Sequence, residues 1–434
     1  MASSTELTAS TASPAQVRGK PIATLVIATS IGNALEWYDI SVYGYFAVYV
    51  SRAFFPNKDP AISLLLTLGT FGLSFITRPL GGVILGTYAD RYGRKASLMV
   101  SIVLMTFGTL AIVLMPSYDT IGIVAPIAVL IARLVQGFSA GGEFGSSTAF
   151  LVEHAPEQRG FIASWQFATQ GLGQVFASAF GVGLTLWMAP AELQSWGWRI
   201  PFLFGLLVGP AGIYIRSHIE DATAPPSAKR DAPVREVLRH QKMRVALGIG
   251  ALAISTAINY LILYIPTYAV RTLHLPASVG YSATFVGAIV VTALTPIAGM
   301  ISDRVGRTTH MITINVLLLF SIFPAFLLLS KVPTATIIIA MVFWLAALKS
   351  LYYGPLAALM SELLPSATRA TGLGLGYNIG VMVFGGMGPV IMAWLGGFAA
   401  IGDLAPGYYL SAVCVLSLCA LVEIRRTKAN VSFT

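Results

Sequence analysis

GTYADRYGRK, residues 86–95, returns as GMISDRVGR, residues 299–307, with 213 positions separating Asp90 from Asp303. A second pair follows at nearly the same spacing. EHAPEQRG, starting at Glu153, returns as ELLPSATRATG, starting at Glu362, with an offset of 209 at the Glu and 210 from Arg159 to Arg369. Two independent matches at almost one offset mark an internal duplication. Each copy of the first motif directly follows an apolar run long enough to cross a bilayer, so the duplicated unit is built from membrane-crossing segments.

Composition agrees. The 434 residues are 56% hydrophobic and 10% charged, with a mean hydropathy of +0.76, against roughly 25% charged residues in a soluble domain. Apolar runs recur too often for a single anchor and are too continuous for the alternating strands of a barrel, which leaves helical spans. Reading runs between charged or Pro/Gly-marked turns places twelve spans near 22–50, 61–88, 97–115, 120–150, 160–187, 199–217, 243–270, 277–301, 309–330, 334–361, 369–397 and 405–424. The expected fold class is an all-α integral membrane protein of twelve transmembrane helices in two six-helix pseudo-repeats. The expected division is a tail over 1–20, a six-helix bundle over 21–217, a linker over 218–242, a second bundle over 243–425 and a tail over 426–434. The linker carries Pro225, Pro226 and Pro233 with mixed charge, and its VREVLRH segment reads as lying on the membrane surface. Residues 1–20 have no short apolar core and cleavage site, so the first span is expected to act as the targeting signal.

The net charge of +9 raises the possibility of nucleic acid, but the basic residues form short clusters between spans rather than one face. Nineteen of the 27 lie at the termini or in alternate connections, whereas the opposite connections hold only Arg52, Lys58, Arg199, Arg271 and Lys331. The positive-inside rule therefore puts both termini in the cytoplasm, with a bacterial inner membrane as the location. Cys414 and Cys419 sit five apart in the last span and the five His have no ligand spacing, so neither a disulfide nor a metal site is expected. GFSAG at Gly137–Gly141 matches a nucleophile elbow, but that motif needs a strand-to-helix turn and this copy lies inside a membrane helix, so an enzyme is not expected. No phosphate-cradling Gly-Lys-Ser/Thr motif is present, so direct drive by ATP and a bound cofactor are not expected either.

The remaining signal is charge at hydrocarbon depth. Glu36, Asp39, Arg78, Arg133, Glu143 and Lys349 lie well inside spans, where each isolated charge costs roughly 3 kcal/mol on an insertion scale. Three are acidic and three basic, so they read either as a structural set of ion pairs or as a site for a charged solute and a proton. In GNALEWYDI, residues 32–40, the spacing of Asn33, Glu36, Asp39 and Tyr43 makes one polar stripe facing the bundle interior. Gln166, Gln170 and Gln174 stack four apart in the fifth span, able to bond a ligand or to join helices. Gly137, Gly141 and Gly145, and again Gly372, Gly376 and Gly380, have the four-residue spacing of close helix approach.

With GTYADRYGRK and LIARLVQGFSAGGE, the sequence resembles the major facilitator superfamily. With GNALEWYD, RPLGG, QGFSAGGEFG, WGWRIPF and GLGYNIGVMVFGG it is similar to the metabolite:proton symporter family within that superfamily, from about residue 20 to 425. Ile40 departs from the pattern, where an aromatic often follows the Asp. The resemblance implies a proton-coupled importer of a small organic anion working by alternating access, as a monomer in the lipid bilayer. It implies that spans one, four, seven and ten line a central cavity. Proton coupling then falls to Asp39 or Glu36, with Asp39 first, and to Glu143 nearer the inner gate. Substrate binding falls to Arg133, Lys349, Arg78, Asn33, Tyr43, Gln166, Gln170, Asn259, Tyr264, Tyr353 and Asn378, with simple helix pinning as the alternative for Arg78. Gating at the cytoplasmic edge falls to Asp90, Arg91, Gly93 and Arg94 and to their repeats Asp303 and Arg304. Lys349 has no obvious counterpart across the family, so it is a candidate for this protein's own substrate choice. Citrate leads among the expected substrates, followed by other tri- and dicarboxylates, 2-oxoglutarate, shikimate, proline and betaine. The lack of a long charged C-terminal extension argues against the osmosensing members. A channel or a transport-dead sensor on the same fold is the rival reading.

Overall fold

A computed structural model describes residues 22–92, 94–154, 157–207, 209 and 233–431. The tail over 1–20, most of the linker and the second half of the sixth span lie outside these residues. The first repeat comprises α1 (Ile22–Tyr45), α2 (Ala47–Phe54), α3 (Pro60–Ser74), α4 (Arg78–Tyr92), α5 (Arg94–Leu114), α6 (Tyr118–Ile121), α7 (Val124–Ala140), α8 (Glu143–His154), α9 (Arg159–Trp187), α10 (Pro190–Ser195) and α11 (Gly197–Leu207). A short α12 (Pro233–His240) precedes the second: α13 (Lys242–Arg271), α14 (Ala277–Val305), α15 (Arg307–Lys331), α16 (Ala335–Glu362), α17 (Arg369–Gly380), α18 (Gly388–Gly396) and α19 (Ala405–Val431). Among the described residues, eight helical stretches are long and apolar enough to cross a membrane. The first, third, fifth and sixth passes complete the twelve, the third and sixth including the shorter apolar stretches Met99–Leu114 and Gly197–Leu207.

Several spans are broken where the sequence suggested one rod. The first breaks at Phe46, and the second tightens into a 3-10 turn over Phe75–Thr77 before Arg78 and Pro79. The fourth breaks at Gly141 and Gly142, so that Glu143 begins a new helix, and the eleventh carries a π-helix over Val381–Gly386. Backbone irregularity at this depth is tolerated where it is enclosed by protein or lines a cavity.

Lipid-facing and enclosed helices differ as a bilayer requires. α5 presents Val103, Phe107, Leu110 and Leu114 outward at three- and four-residue spacing, and α15 presents Leu317, Phe320 and Leu328. α13 is the opposite case, buried from Gly250 to Ala269 on every side. α9 and α14, one from each repeat, pack lengthwise, with α9 also against α1 and α16. Small residues make this approach possible. A side chain at Gly137 or Gly141 would strike the backbone of Ser74 or Arg78, and Gly160 and Gly299 touch backbone to backbone between α9 and α14. GFSAG therefore serves helix packing: Ser139 donates to the Ser101 carbonyl at 2.6 Å, joining α7 to α5.

α12 is the VREVLRH segment, with Val237 fully buried and Leu238 exposed. It lies at the face of the bundle where α8, α14 and α16 end and α9, α15 and α17 begin, which is the face rich in Lys and Arg.

Candidate functional site

The first-span stripe does bring its charged residues inward, to different partners. Glu36 Oε1 accepts from Arg78 Nη2 at 2.7 Å, an ion pair between α1 and α4. The Arg78 guanidinium also lies over the Phe75 ring at 4.8 Å. Asp39, one turn further, is buried and its Oδ2 accepts from the Thr109 hydroxyl at 3.1 Å, while Oδ1 has no hydrogen-bond partner. The Thr109 oxygen accepts from Gln136 Nε2 at 2.8 Å, and Gln136 Oε1 accepts from Arg133 Nη1 at 2.8 Å. A continuous chain thus runs from a buried carboxylate on α1, through α5, to a buried guanidinium on α7. Arg133 is held from its other side by the rings of Tyr43 at 4.3 Å and Phe71 at 5.2 Å. Asn33 does not open towards the centre. Its Nδ2 donates to the Gln166 carbonyl at 2.6 Å and to Thr169 Oγ1 at 2.8 Å, tying α1 to α9.

The second repeat contributes a separate cation. Lys349 Nζ donates to Asn259 Oδ1 at 2.5 Å and sits 4.6 Å from the Tyr353 ring centroid. The same Asn259 oxygen accepts from Gln174 Nε2 at 2.9 Å, a bond from α13 to α9 and so between repeats. Gln170 Nε2 donates to the Tyr377 hydroxyl at 3.1 Å, also between repeats. Asn378 Nδ2 donates to the Gly141 carbonyl at 2.8 Å, using the break in the fourth span. Buried polar atoms with no partner gather here: the hydroxyls of Tyr43 and Tyr260, Gln166 Nε2, Gln170 Oε1, Gln174 Oε1, Asn259 Nδ2 and Asn378 Oδ1. An unmade buried hydrogen bond costs about 1–3 kcal/mol, and amide and hydroxyl groups gathered around charged side chains are able to bond a polar ligand.

Two aromatic stacks between repeats lie on the basic side of this centre. Phe167 stacks on Tyr353 at 4.1 Å and Phe144 on Tyr377 at 3.5 Å between ring centroids. Beyond them the basic face is tied by charge. Asp303 Oδ1 and Oδ2 accept the Gly160 and Phe161 backbone N–H groups at 2.9 and 3.1 Å, which places a carboxylate on the N-terminal turn of α9. Arg307 pairs with Asp303 at 2.8 Å and with Glu362, and Arg369 pairs with Glu153 at 2.9 Å. Of the residues expected to gate, Asp303 is thus a contact between repeats, while Arg304 is exposed. Gly93 and the side chains of Asp90, Arg91, Arg94 and Glu143 lie outside the described residues. The partners Arg307, Glu362 and Arg369 lie in the repeated motifs, but of their counterparts Arg94, Glu153 and Arg159 only Arg94 is among the residues expected to gate.

Tyr264 is displaced from the centre. It lines a cavity of about 540 Å³ near the opposite face, with Asp59, Leu64, Tyr268, Arg271 and Trp394. The reason is geometric: five residues of helix beyond Asn259 turn a side chain by about 140°. On that face the Tyr281 hydroxyl donates to the Tyr45 carbonyl at 3.1 Å, joining α14 to α1.

Two repeated six-helix halves, with amide and charged side chains gathered between them at mid-membrane, define a secondary transporter of the rocking type. The chain belongs to the Major Facilitator Superfamily, whose profile matches residues 29–389. It is 36% identical over 410 residues to a citrate-proton symporter of Klebsiella pneumoniae, covering 93% of this chain and 92% of that one. It is 34% identical to a proline/betaine transporter of Escherichia coli, covering 93% of this chain and 83% of that one. The fold is shared with a solved D-xylose-proton symporter at a TM-score of 0.71 and 17% identity, covering 92% of this chain and 97% of that one.

Proposed function

We propose that the protein imports a small organic acid together with protons, with citrate or a related tri- or dicarboxylate as the substrate, by alternating access. The observation that carries this reading is the chain Asp39–Thr109–Gln136–Arg133, a buried carboxylate wired to a buried guanidinium. While Asp39 is ionised, its charge balances that of Arg133 through the two intervening polar groups. Protonation removes that balance and leaves the guanidinium to a substrate carboxylate, which it can grip with two parallel hydrogen bonds. Proton and anion therefore favour each other's binding, which is the coupling a symporter requires. Glu36 is already paired with Arg78 and serves better as a structural partner than as a carrier.

The basic face, with α12 and both chain termini, is taken as cytoplasmic in a bacterial inner membrane, on the positive-inside rule. Asp303, Arg307, Glu362, Glu153 and Arg369, with Asp90, Arg91, Gly93 and Arg94, then form the inner gate between residues 21–217 and 243–425. A single chain holds both halves and the centre between them, so the working unit is taken as a monomer. Substrate and proton enter from the outside, the halves rock about the centre, and the membrane potential adds roughly 2.3 kcal/mol per net charge per 100 mV. The citrate-proton symporter relative supports an organic acid, and the proline/betaine relative supports a zwitterion as the second reading.

The test is uptake of labelled citrate, other acids, proline and betaine in cells lacking their own carriers, with external pH recorded in de-energised cells. Alkalinisation on addition of the transported solute is expected. Uptake without proton movement would remove the symport reading, and uptake of proline or betaine alone would replace the acid.

A further inference from the structure

Lys349 is completely buried in the middle of α16, and among the described residues no carboxylate lies within ion-pair distance of it. The other two mid-membrane cations are provided for: Arg78 by Glu36, and Arg133 by a hydrogen-bonded chain ending on Asp39. Lys349 has one amide oxygen and one aromatic face. A buried ammonium without a counter-charge is expensive and is kept where function needs it.

The oxygen it holds is itself doubly used. Asn259 Oδ1 receives Lys349 from its own repeat and Gln174 from the other, while Asn259 Nδ2 and Gln174 Oε1 are buried without partners. An amide oxygen is the neutral analogue of a carboxylate oxygen in size and acceptor geometry. We propose that Lys349 holds one carboxylate of the substrate, and that Asn259 Oδ1 holds the position that this carboxylate oxygen takes. This rests on the organic-acid reading above and adds which residue counts the substrate's charges. A carboxylate oxygen in that position receives both Lys349 and Gln174, one from each repeat, so the arrival of an anion joins the repeats. Lys349 and Gln174 thereby hold one anionic group between the halves.

The experiment uses the full chain in proteoliposomes and competes labelled citrate with a series of acids that lose one carboxylate at a time, for the wild type, Lys349→Gln, Lys349→Arg and Asn259→Asp. In the wild type, each carboxylate removed is expected to weaken competition on the order of tenfold to a hundredfold. In Lys349→Gln one of those steps vanishes, and Lys349→Arg restores it in part. Asn259→Asp keeps the lysine but neutralises it from within, and loses the same step, which serves if Lys349→Gln fails to fold. A merely structural Lys349 would lower all affinities alike and leave the steps unchanged. Steps of wild-type size in both Lys349→Gln and Asn259→Asp overturn the proposal and leave the transport reading standing. A wild type that takes up none of the acids overturns both.

Discussion

Asp303 accepts the backbone N–H of Gly160 at 2.9 Å although the two residues belong to different repeats and lie 143 positions apart. A carboxylate on the first turn of a helix meets free N–H groups and the positive end of the helix dipole. Two such bonds and the flanking Arg307 make this a charged clasp. Asp303→Ala is expected to raise hydrogen exchange in the first turn of α9 on the order of tenfold to a hundredfold. Exchange at the wild-type rate would mean that the clasp does not hold the two helices.

Asp39→Asn preserves shape and removes the titratable group. Concentrative, pH-driven uptake is expected to fall more than about tenfold, while exchange of substrate down its own gradient persists. If accumulation against a gradient survives, the proton travels elsewhere.

Breaking the pair of Glu36 and Arg78 takes from a largely enclosed charge its ion-pair partner. Arg78→Gln is expected to destabilise by about 3–5 kcal/mol, whereas Glu36→Gln with Arg78→Gln together costs much less. Thermal unfolding in detergent reads the difference. A double-variant loss equal to the sum of the Glu36→Gln and Arg78→Gln losses would show that the pair contributes nothing as a pair.

Gly141→Val puts a side chain into the backbone of Arg78. The two helices must separate, at a cost of at least about 1–3 kcal/mol, and Asn378 loses its acceptor geometry on the Gly141 carbonyl. A lower Tm and weaker uptake are expected. Unchanged values would show that the α4–α7 contact gives way freely.

The sequence made the architecture legible because a bilayer leaves a helix few ways to satisfy its backbone, and because the duplicated motifs align the halves. It also marked Asp39, Arg133, Lys349 and Asn259, since charge and amide groups stand out against hydrocarbon. The links between them were harder to read. Thr109 is an unremarkable hydroxyl in the third span, and nothing local says that it faces Asp39. Gln136 lies one turn from Arg133 and could have been noticed. Asn33 belonged to the right stripe but was captured by a carbonyl of α9, a choice only the packing makes. The breaks at Phe46 and Gly141 escaped because a hydropathy window averages over them; the Gly141–Gly142 pair was the available hint.

The full enclosure of α13 bears on how the protein is made. A helix with no lipid face in the finished molecule must still enter the bilayer before α14, α16 and α19 have been synthesised to surround it. It is apolar enough to do so unaided, although it carries Ser255, Thr256, Asn259 and three tyrosines. Its composition therefore answers to insertion as well as to packing, and a further polar residue there would be resisted at the translocon even where the mature protein had room for it.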